Sequence, residues 1–398
     1  MATLTNPLWG DDWDEVRSNW ILDPGVAFLN HGSYGATPRP VLDRQHALRT
    51  ELEREPVSFL WRRLPGLAEE AREAVAGFVG ADADGLAFVT NATTGVNTVL
   101  ASLRLAAGDR LVTTDHVYPA VRNAMRATCA RAGAELVEVA LPLPLEPDAR
   151  IVDRVASALT ARTRLVLIDH VTSSTAAILP VAGLVAACRA AGVPVMVDAA
   201  HAPGMLPVDV KGLAADYWTG NLHKWVCAPK GSAVLWVAPE HRERTHPLVV
   251  SHGAGQGFRA EFDWTGTHDP TPYLAAPEAL RVMGSLGWPR VMAHNHRLAL
   301  YARDVVAAAV GTPEEIPGNE RVGSMGLAAL PLAVAATFEE TLVLQERLFA
   351  EHAIEVPITW WDERAFVRCS AQVYNAAADY ERLASALAGI VAPARSDT

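Results

Sequence analysis

The sequence predicts an α/β fold, with a large domain on a mainly parallel sheet and a smaller α+β domain after it. Three observations predict it. From about residue 85, short apolar runs alternate with stretches of helical length and period. Near residue 275 this alternation gives way to a long helical pattern and then to shorter alternating segments. Half of the 398 residues are hydrophobic, enough to fill more than one core.

Taken in order, residues 1–22 form an N-terminal segment, residues 23–275 the large domain and residues 276–398 the small one. The opening "MATLTNPLWGDDWDEVRSNW" carries acids where a secretory signal needs an apolar centre. In the large domain "GLAFVT", "DRLVTTD", "ELVEVAL", "TRLVLIDHV" and "VPVMVDAAH" read as buried strands. Between them "TTGVNTVLASLRL", "PAVRNAMRATCARAG", "IVDRVASALTA" and "VAGLVAACRAAG" read as helices. Such alternation implies a parallel sheet covered on both faces. Ligands of these sheets lie beyond the carboxyl ends of the strands, so the residues that follow each run carry the functional interest.

The most membrane-like stretch, "VAGLVAACRAAGVPVMV", is broken by Arg189, Gly192 and Pro194 and reads as a helix followed by a strand. Residues 240–275, with "SHGAGQGFRAEFDWTGTHDPTP", lose all periodicity and read as a long loop. A helical pattern then runs from Pro277 to about Val310, and "EETLVLQERLFAEH" and "DYERLASALAGIV" supply two further helices.

The formal net charge of −11 argues against a nucleic-acid or anionic-membrane surface, since both need a basic footprint. Cys129, Cys188, Cys227 and Cys369 are too scattered for a disulfide framework or a zinc site. A cytoplasmic protein that handles small molecules is the expectation. "AHNHR" sets His294 and His296 two helical positions apart, facing different directions, and no metal site is expected.

The chemistry centres on "TGNLHKWVCAPKGS", where Lys224 precedes the apolar run "AVLWVAP". A lone loop lysine is ordinarily a solvated side chain. The alternative is an amine kept neutral and nucleophilic, as Schiff-base chemistry requires. Asp198 closes the strand "VPVMVD" and is either a helix cap or a charge kept for a cation. Pyridoxal phosphate needs both groups, a carboxylate against its ring nitrogen and a lysine for its aldehyde. Its phosphate needs backbone N–H groups at a helix start, and "NATTGVNTVL" provides one at Thr93 and Thr94. Its ring face needs a flat side chain, and "DHVYPA" provides His116 and Tyr118 at the end of their strand.

Together "FLNHGSYGATP", "TNATTGVN", "DHVYPA", "DHVTSSTA", "VDAAHAPG", "TGNLHKW", "TGTHD" and "VRCSAQVYN" resemble the class V aminotransferase family of pyridoxal-phosphate enzymes. "LNHGSYG" and "EREPVSFLWRRLP" are similar to its isopenicillin N epimerase-like branch, and the likeness runs from about residue 20 to the C-terminus. The resemblance implies fold type I, the aspartate aminotransferase-like arrangement. It implies that Lys224 binds the cofactor's aldehyde, Asp198 pairs with the ring nitrogen, His201 lies near the ring hydroxyl and Tyr118 stacks on the ring. Thr93, Thr94, Asn221 and His223 would hold the phosphate, and Thr267 would reach that of the neighbouring subunit, which implies a homodimer. Asn30, His31 and Ser33 would form the loop that faces the substrate, and Arg368 would take its carboxylate. Ser173 stands where many relatives carry asparagine in contact with the cofactor.

The resemblance places the reaction at the α-carbon of an amino acid or a metabolite that contains one. Epimerisation comes first, with Lys224 on one face and Tyr118, His116 or His31 on the other. A carbon–sulfur lyase or an aminotransferase is the alternative, and a cofactor-binding protein without turnover is a distant third. Cysteine desulfuration through a persulfide is disfavoured, because residues 311–350 contain no cysteine. The segments "EPVSFLWRR" and "SHGAGQGFRAEFDW" offer Trp61, Arg62, Arg63 and Arg259 to the pocket or to the dimer interface.

Overall fold

A computed structural model of the protein describes residues 13–312 and 318–396. Residues 1–12 of the expected N-terminal segment and residues 313–317, 397 and 398 of the expected small domain lie outside the described residues.

The strands, in chain order, begin with β1 (Ala27–Phe28) and β2 (Leu86–Val89). Next come β3 (Arg110–Thr114), β4 (Glu135–Val139), β5 (Thr163–Asp169) and β6 (Val195–Asp198). β7 (Tyr217–Asn221) and β8 (Ala233–Val237) complete the large sheet. The C-terminal part adds β9 (Met325–Ala329), β10 (Ile354–Glu355), β11 (Ile358–Trp361) and β12 (Arg364–Ser370).

The large sheet has seven strands in the order β2-β8-β7-β6-β5-β3-β4. The five from β7 to β4 run parallel, and β8 pairs antiparallel with both β7 and β2. Two-residue alternation divides the side chains between its faces. Val166, Ile168, Val195 and Val197 enter one core, while Leu165, Leu167 and Met196 enter another on the opposite face. Asp169 and Asp198 therefore project on the face of Leu167 and Met196, side by side in register.

The helices start where local chemistry starts them. Asn91 caps Ala92–Ser102, its Oδ1 accepting the Thr94 N–H at 2.8 Å. Pro119 opens Pro119–Ala132, and Gly133 closes it in a left-handed conformation. The long pattern after Pro277 is two helices, Ala276–Ser285 and Trp288–Val310, broken at Gly287, whose φ of 82° no helix admits. The first packs on Arg39–Arg54 and Leu64–Val79, with Ala276 and Ala279 in the large core. The C-terminal core begins further on, at Leu298, so the change of composition near 275 precedes the change of core.

That second core lies among Trp288–Val310, Ala377–Ser396 and the sheet β11-β12-β9. It draws in Ala27 and Leu29 from the start of the chain, because β1 pairs with β10. A seam of Trp20, Cys227, Met283, Val373 and Tyr374 joins the two parts. The stretch 240–275 holds more order than its composition suggests. It includes the helices Phe258–Asp263 and Thr271–Leu274, and Phe258 and Phe262 pack under the sheet. Among the described residues no helix is long and apolar enough to cross a membrane.

Candidate active site

The carboxyl ends of the parallel strands open into a cavity of about 340 Å³, lined among others by Ser33, Thr93, Tyr118, Ser173, Asp198, His201, Asn221, His223 and Lys224. Its size lies in the range of small-molecule sites. β6 delivers Asp198, β7 delivers Asn221 and the turn with His223 and Lys224, and the turn after β3 delivers Tyr118. Ser33 arrives from the N-terminal loop, which passes so close to the lysine turn that only glycine fits at position 35. A Cβ there would lie 2.5 Å from the His223 carbonyl oxygen and 2.7 Å from that of Lys224.

Lys224 is the electrostatic centre. Burial first and the Arg368 guanidinium second bring its pKa down to about 7, with Asp198 and Asp169 in opposition. Its Nζ lies 3.0 Å from His201 Nε2. The Trp225 indole, which can only donate, reaches His201 Nδ1 at 3.3 Å. That fixes the His201 proton on Nε2, where it donates to the lone pair of a neutral Lys224 amine. Burial and the neighbouring Lys224 hold His201 itself far below the ordinary imidazole range, so it stays neutral.

Asp198 is buried and its Oδ1 accepts the Ala200 N–H at 3.0 Å. The start of helix Ala92–Ser102 lies in the cavity wall, and its N–H groups and dipole suit an anion. Asn221 braces it, its Oδ1 accepting the Ala92 N–H at 2.8 Å, which leaves the Asn221 amide N–H groups as spare donors. His223 donates from Nδ1 to the Ser232 carbonyl at 2.9 Å, and burial brings its pKa down to about 4. Its other nitrogen is left for the cavity.

Arg368, on β12, crosses from the C-terminal part. Nη1 donates to the Ser173 carbonyl at 2.6 Å and Nη2 to Ser33 Oγ at 2.7 Å. Its buried Nε has no partner among the described residues. Burial lowers even this guanidinium to about 10. Arg368 is not itself in the cavity wall; it lies directly behind Ser33 and Ser173, which are.

Several sequence expectations are corrected by this geometry. Thr94 does not line the cavity, because its hydroxyl is bound to Asn91 Oδ1 at 3.1 Å and Thr90 Oγ1 at 2.9 Å. Asn30 is turned to Glu355, donating from Nδ2 to Oε1 at 3.0 Å. His31 is buried beneath the lysine turn, with Nδ1 2.7 Å from the Tyr374 hydroxyl and Nε2 3.0 Å from the Lys224 carbonyl. Of "LNHGSYG", Ser33 and Tyr34 are the residues that reach the cavity.

His116 is likewise engaged. Nε2 donates to the Leu141 carbonyl at 2.7 Å, Nδ1 meets Thr175 Oγ1 at 2.6 Å, and the ring stacks on Trp361. Thr267 is exposed and outside this cavity, in a position open to a second subunit. Arg63 and Arg259 are tied to Glu51 and to Glu69 and Asp84, and Trp61 is exposed, so none of them lines the pocket. Asp169 lines it and is absent from the sequence reading, although the period of "TRLVLID" sets it on one face with Leu165 and Leu167.

The donor set fits pyridoxal phosphate. A carboxylate, a neutral amine, a braced helix start with spare donors and a flat phenol share one cavity, and two buried polar atoms, Asp169 Oδ2 and Arg368 Nε, await partners. A family model described as aminotransferase class-V matches residues 37–383. The chain is 35% identical over 394 residues to the isopenicillin N epimerase of Streptomyces clavuligerus, covering 94% of this chain and 98% of that one. It is 32% identical over 400 residues to L-cysteine desulfhydrase of Arabidopsis thaliana, covering 92% and 88%.

Among solved structures, the cystine C–S lyase C-DES in complex with cysteine persulfide matches with a TM-score of 0.78 at 22% identity, covering 92% of this chain and 98% of that one. Cysteine desulfurase CsdA of Escherichia coli matches at 0.77 and 22%, covering 95% and 98%. These last two likenesses establish the fold.

Proposed function

The chain belongs to the aminotransferase class-V family and works with pyridoxal 5′-phosphate, and from that premise we propose that it inverts the α-carbon of an amino acid or of a metabolite containing one. When bound, the cofactor supplies a protonated pyridine ring that takes up the electron pair left at the α-carbon. Lys224, Asp198, His201, Thr93, Asn221, His223 and Ser173 are the residues we assign to holding it, and Ser33 and Arg368 those for the substrate carboxylate.

One observation carries the choice of inversion. Two proton-bearing side chains, the Lys224 amine and the Tyr118 phenol, enter the same cavity from strands β7 and β3, with the carboxylate-bearing β6 and β5 between them. Inversion needs an acid and a base on opposite faces of the α-carbon. Lys224, whose amine changes charge at about pH 7, removes or returns the proton on one face, and Tyr118 serves the other. His31 and His116 are excluded from that second role by their occupied nitrogens. The 34–35% identity to isopenicillin N epimerases supports this reading.

A carbon–sulfur lyase is the second reading, favoured by 32–34% identity to proteins named L-cysteine desulfhydrases and putative ones. It needs the same lysine, with the phenol protonating a leaving group on the β-carbon. A persulfide route has no support, because all four cysteines are buried. Incubation with amino acids in heavy water decides between the two. Inversion places deuterium at the α-carbon while the opposite enantiomer accumulates and no keto acid forms. Pyruvate in proportion to substrate loss, without inverted amino acid, moves the assignment to the lyase.

A further inference from the structure

Asp169 is buried in the cavity wall, and the proposed reaction gives it no role in moving the α-proton. It ends β5 as Asp198 ends β6, and the two are register partners on neighbouring parallel strands. Such strands lie about 4.8 Å apart with paired side chains on the same face. Asp169 is 3% exposed and Asp198 4%, so water screens neither. We propose that Asp169 is a second carboxyl of the cofactor site, protonated and neutral, so that the Asp169–Asp198 pair presents a single negative charge to the ring nitrogen.

The buried oxygen that lacks a partner decides which of the two keeps the proton. Asp198 accepts the Ala200 N–H, which favours its ionised form, whereas Asp169 Oδ2 has no partner among the described residues. The surrounding cations are committed elsewhere. Arg122 donates to Glu138 at 2.8 Å and to the Asp115 carbonyl at 2.7 Å. Lys224 is bonded to His201, and Arg368 to Ser33 and Ser173. His170 and His201 are held neutral by burial. The Tyr118 N–H, Asp169's own N–H and Arg122 favour an ionised Asp169, but burial first and the Asp198 charge second outweigh them and push its carboxyl well above the usual carboxylate range.

Burial raises Asp198 as well, with the Ala200 N–H and Lys224 pulling the other way. Two like charges this close in a dry site do not both ionise. A neutral acid is also a hydrogen-bond donor, which an ionised one is not. The proposal depends on the cofactor and not on which reaction follows, so its test needs no substrate.

The holoenzyme is studied by infrared spectroscopy at pH 8, where Asp115, pushed up to about 6, is ionised and adds no acid signal. The expected result is a protonated-carboxylic-acid carbonyl band that shifts in heavy water and vanishes in Asp169→Asn. Absence of the band in the wild-type protein overturns the proposal, whether or not the variant folds, and so does its survival in Asp169→Asn. Should that variant not fold, Asp169→Ser makes the assignment by the same criterion.

Discussion

At Lys224 the amine gives up its water, faces the positive field of Arg368 and receives only partial compensation from the Asp198 carboxylate, which leaves its pKa near 7. An ordinary lysine at neutral pH is almost wholly protonated and a poor nucleophile. In cofactor-free protein the acylation rate of Lys224 should therefore rise with pH through a midpoint at about 7, followed by peptide mapping. A midpoint at the usual lysine value would count against the assignment. We assign Asp198 to the other end of the same cofactor. Asp198→Ala should keep the cofactor attached to Lys224, yet slow α-proton exchange by about 10²-fold or more, the scale on which lost electrostatic stabilisation acts. Near-normal exchange in that variant would remove Asp198 from its role.

Elements place these residues by simple rules. A strand alternates its faces, so Asp169 and Asp198 share one. A capped helix start gathers N–H groups, so the start of Ala92–Ser102 suits an anion. Asn91 is the cap, and its side chain serves both the Thr94 N–H and the Thr94 hydroxyl. Asn91→Ala should cost about 1 kcal/mol of stability in denaturant unfolding. If the same turn holds the phosphate, as we propose, the substitution should also speed cofactor release. Unchanged release would show that the Asn221 brace suffices alone. The N-terminal loop is positioned differently, by close approach, and at Gly35 there is no room for even a methyl group.

Across the whole molecule the cavity belongs to neither core alone. Arg368 on β12 stands behind its wall, Thr359 Oγ1 donates to the Ser174 carbonyl at 2.8 Å, and Trp361 Nε1 donates to the Asp115 carbonyl at 3.1 Å. Buried histidines then set the response to acid. Burial lowers His31 to about 3 and both His116 and His170 to about 4. Below the ordinary value of 6.5 the unfolded chain binds protons that the folded chain refuses, so stability falls as pH falls from there toward the folded values. Each of the two histidines at about 4 contributes a loss of roughly 3 kcal/mol by that pH. Unfolding midpoints in denaturant at pH 7, 5.5 and 4.5 should show the decline, and a flat profile would contradict it.

Thr267 is exposed and outside its own cavity. If it serves the phosphate of a second subunit, Thr267→Ala should weaken cofactor binding by roughly 1.5–3 kcal/mol, the worth of a hydrogen bond to a charged group. Dilution below the dimer's dissociation constant should release cofactor as well. A monomer with full cofactor occupancy in solution would rule this out.

The sequence by itself determined the parallel α/β core and the places where chemistry gathers, because both follow from short-range order. The period of an apolar run marks a strand, and the residue after its carboxyl end faces the ligand. Asp198, Tyr118 and Lys224 could be found that way and do enter one cavity, where Asn221, which only the family resemblance pointed to, joins them. Tertiary structure alone decided which polar groups were free to act. His31 and His116 carry the right chemistry, but their nitrogens are taken by Tyr374, Leu141, Thr175 and the Lys224 carbonyl, all distant in the chain except by folding. Asp169 gains its meaning only from the register that sets it beside Asp198, since the field of a second buried carboxylate acts through space and leaves no mark on either strand's own pattern.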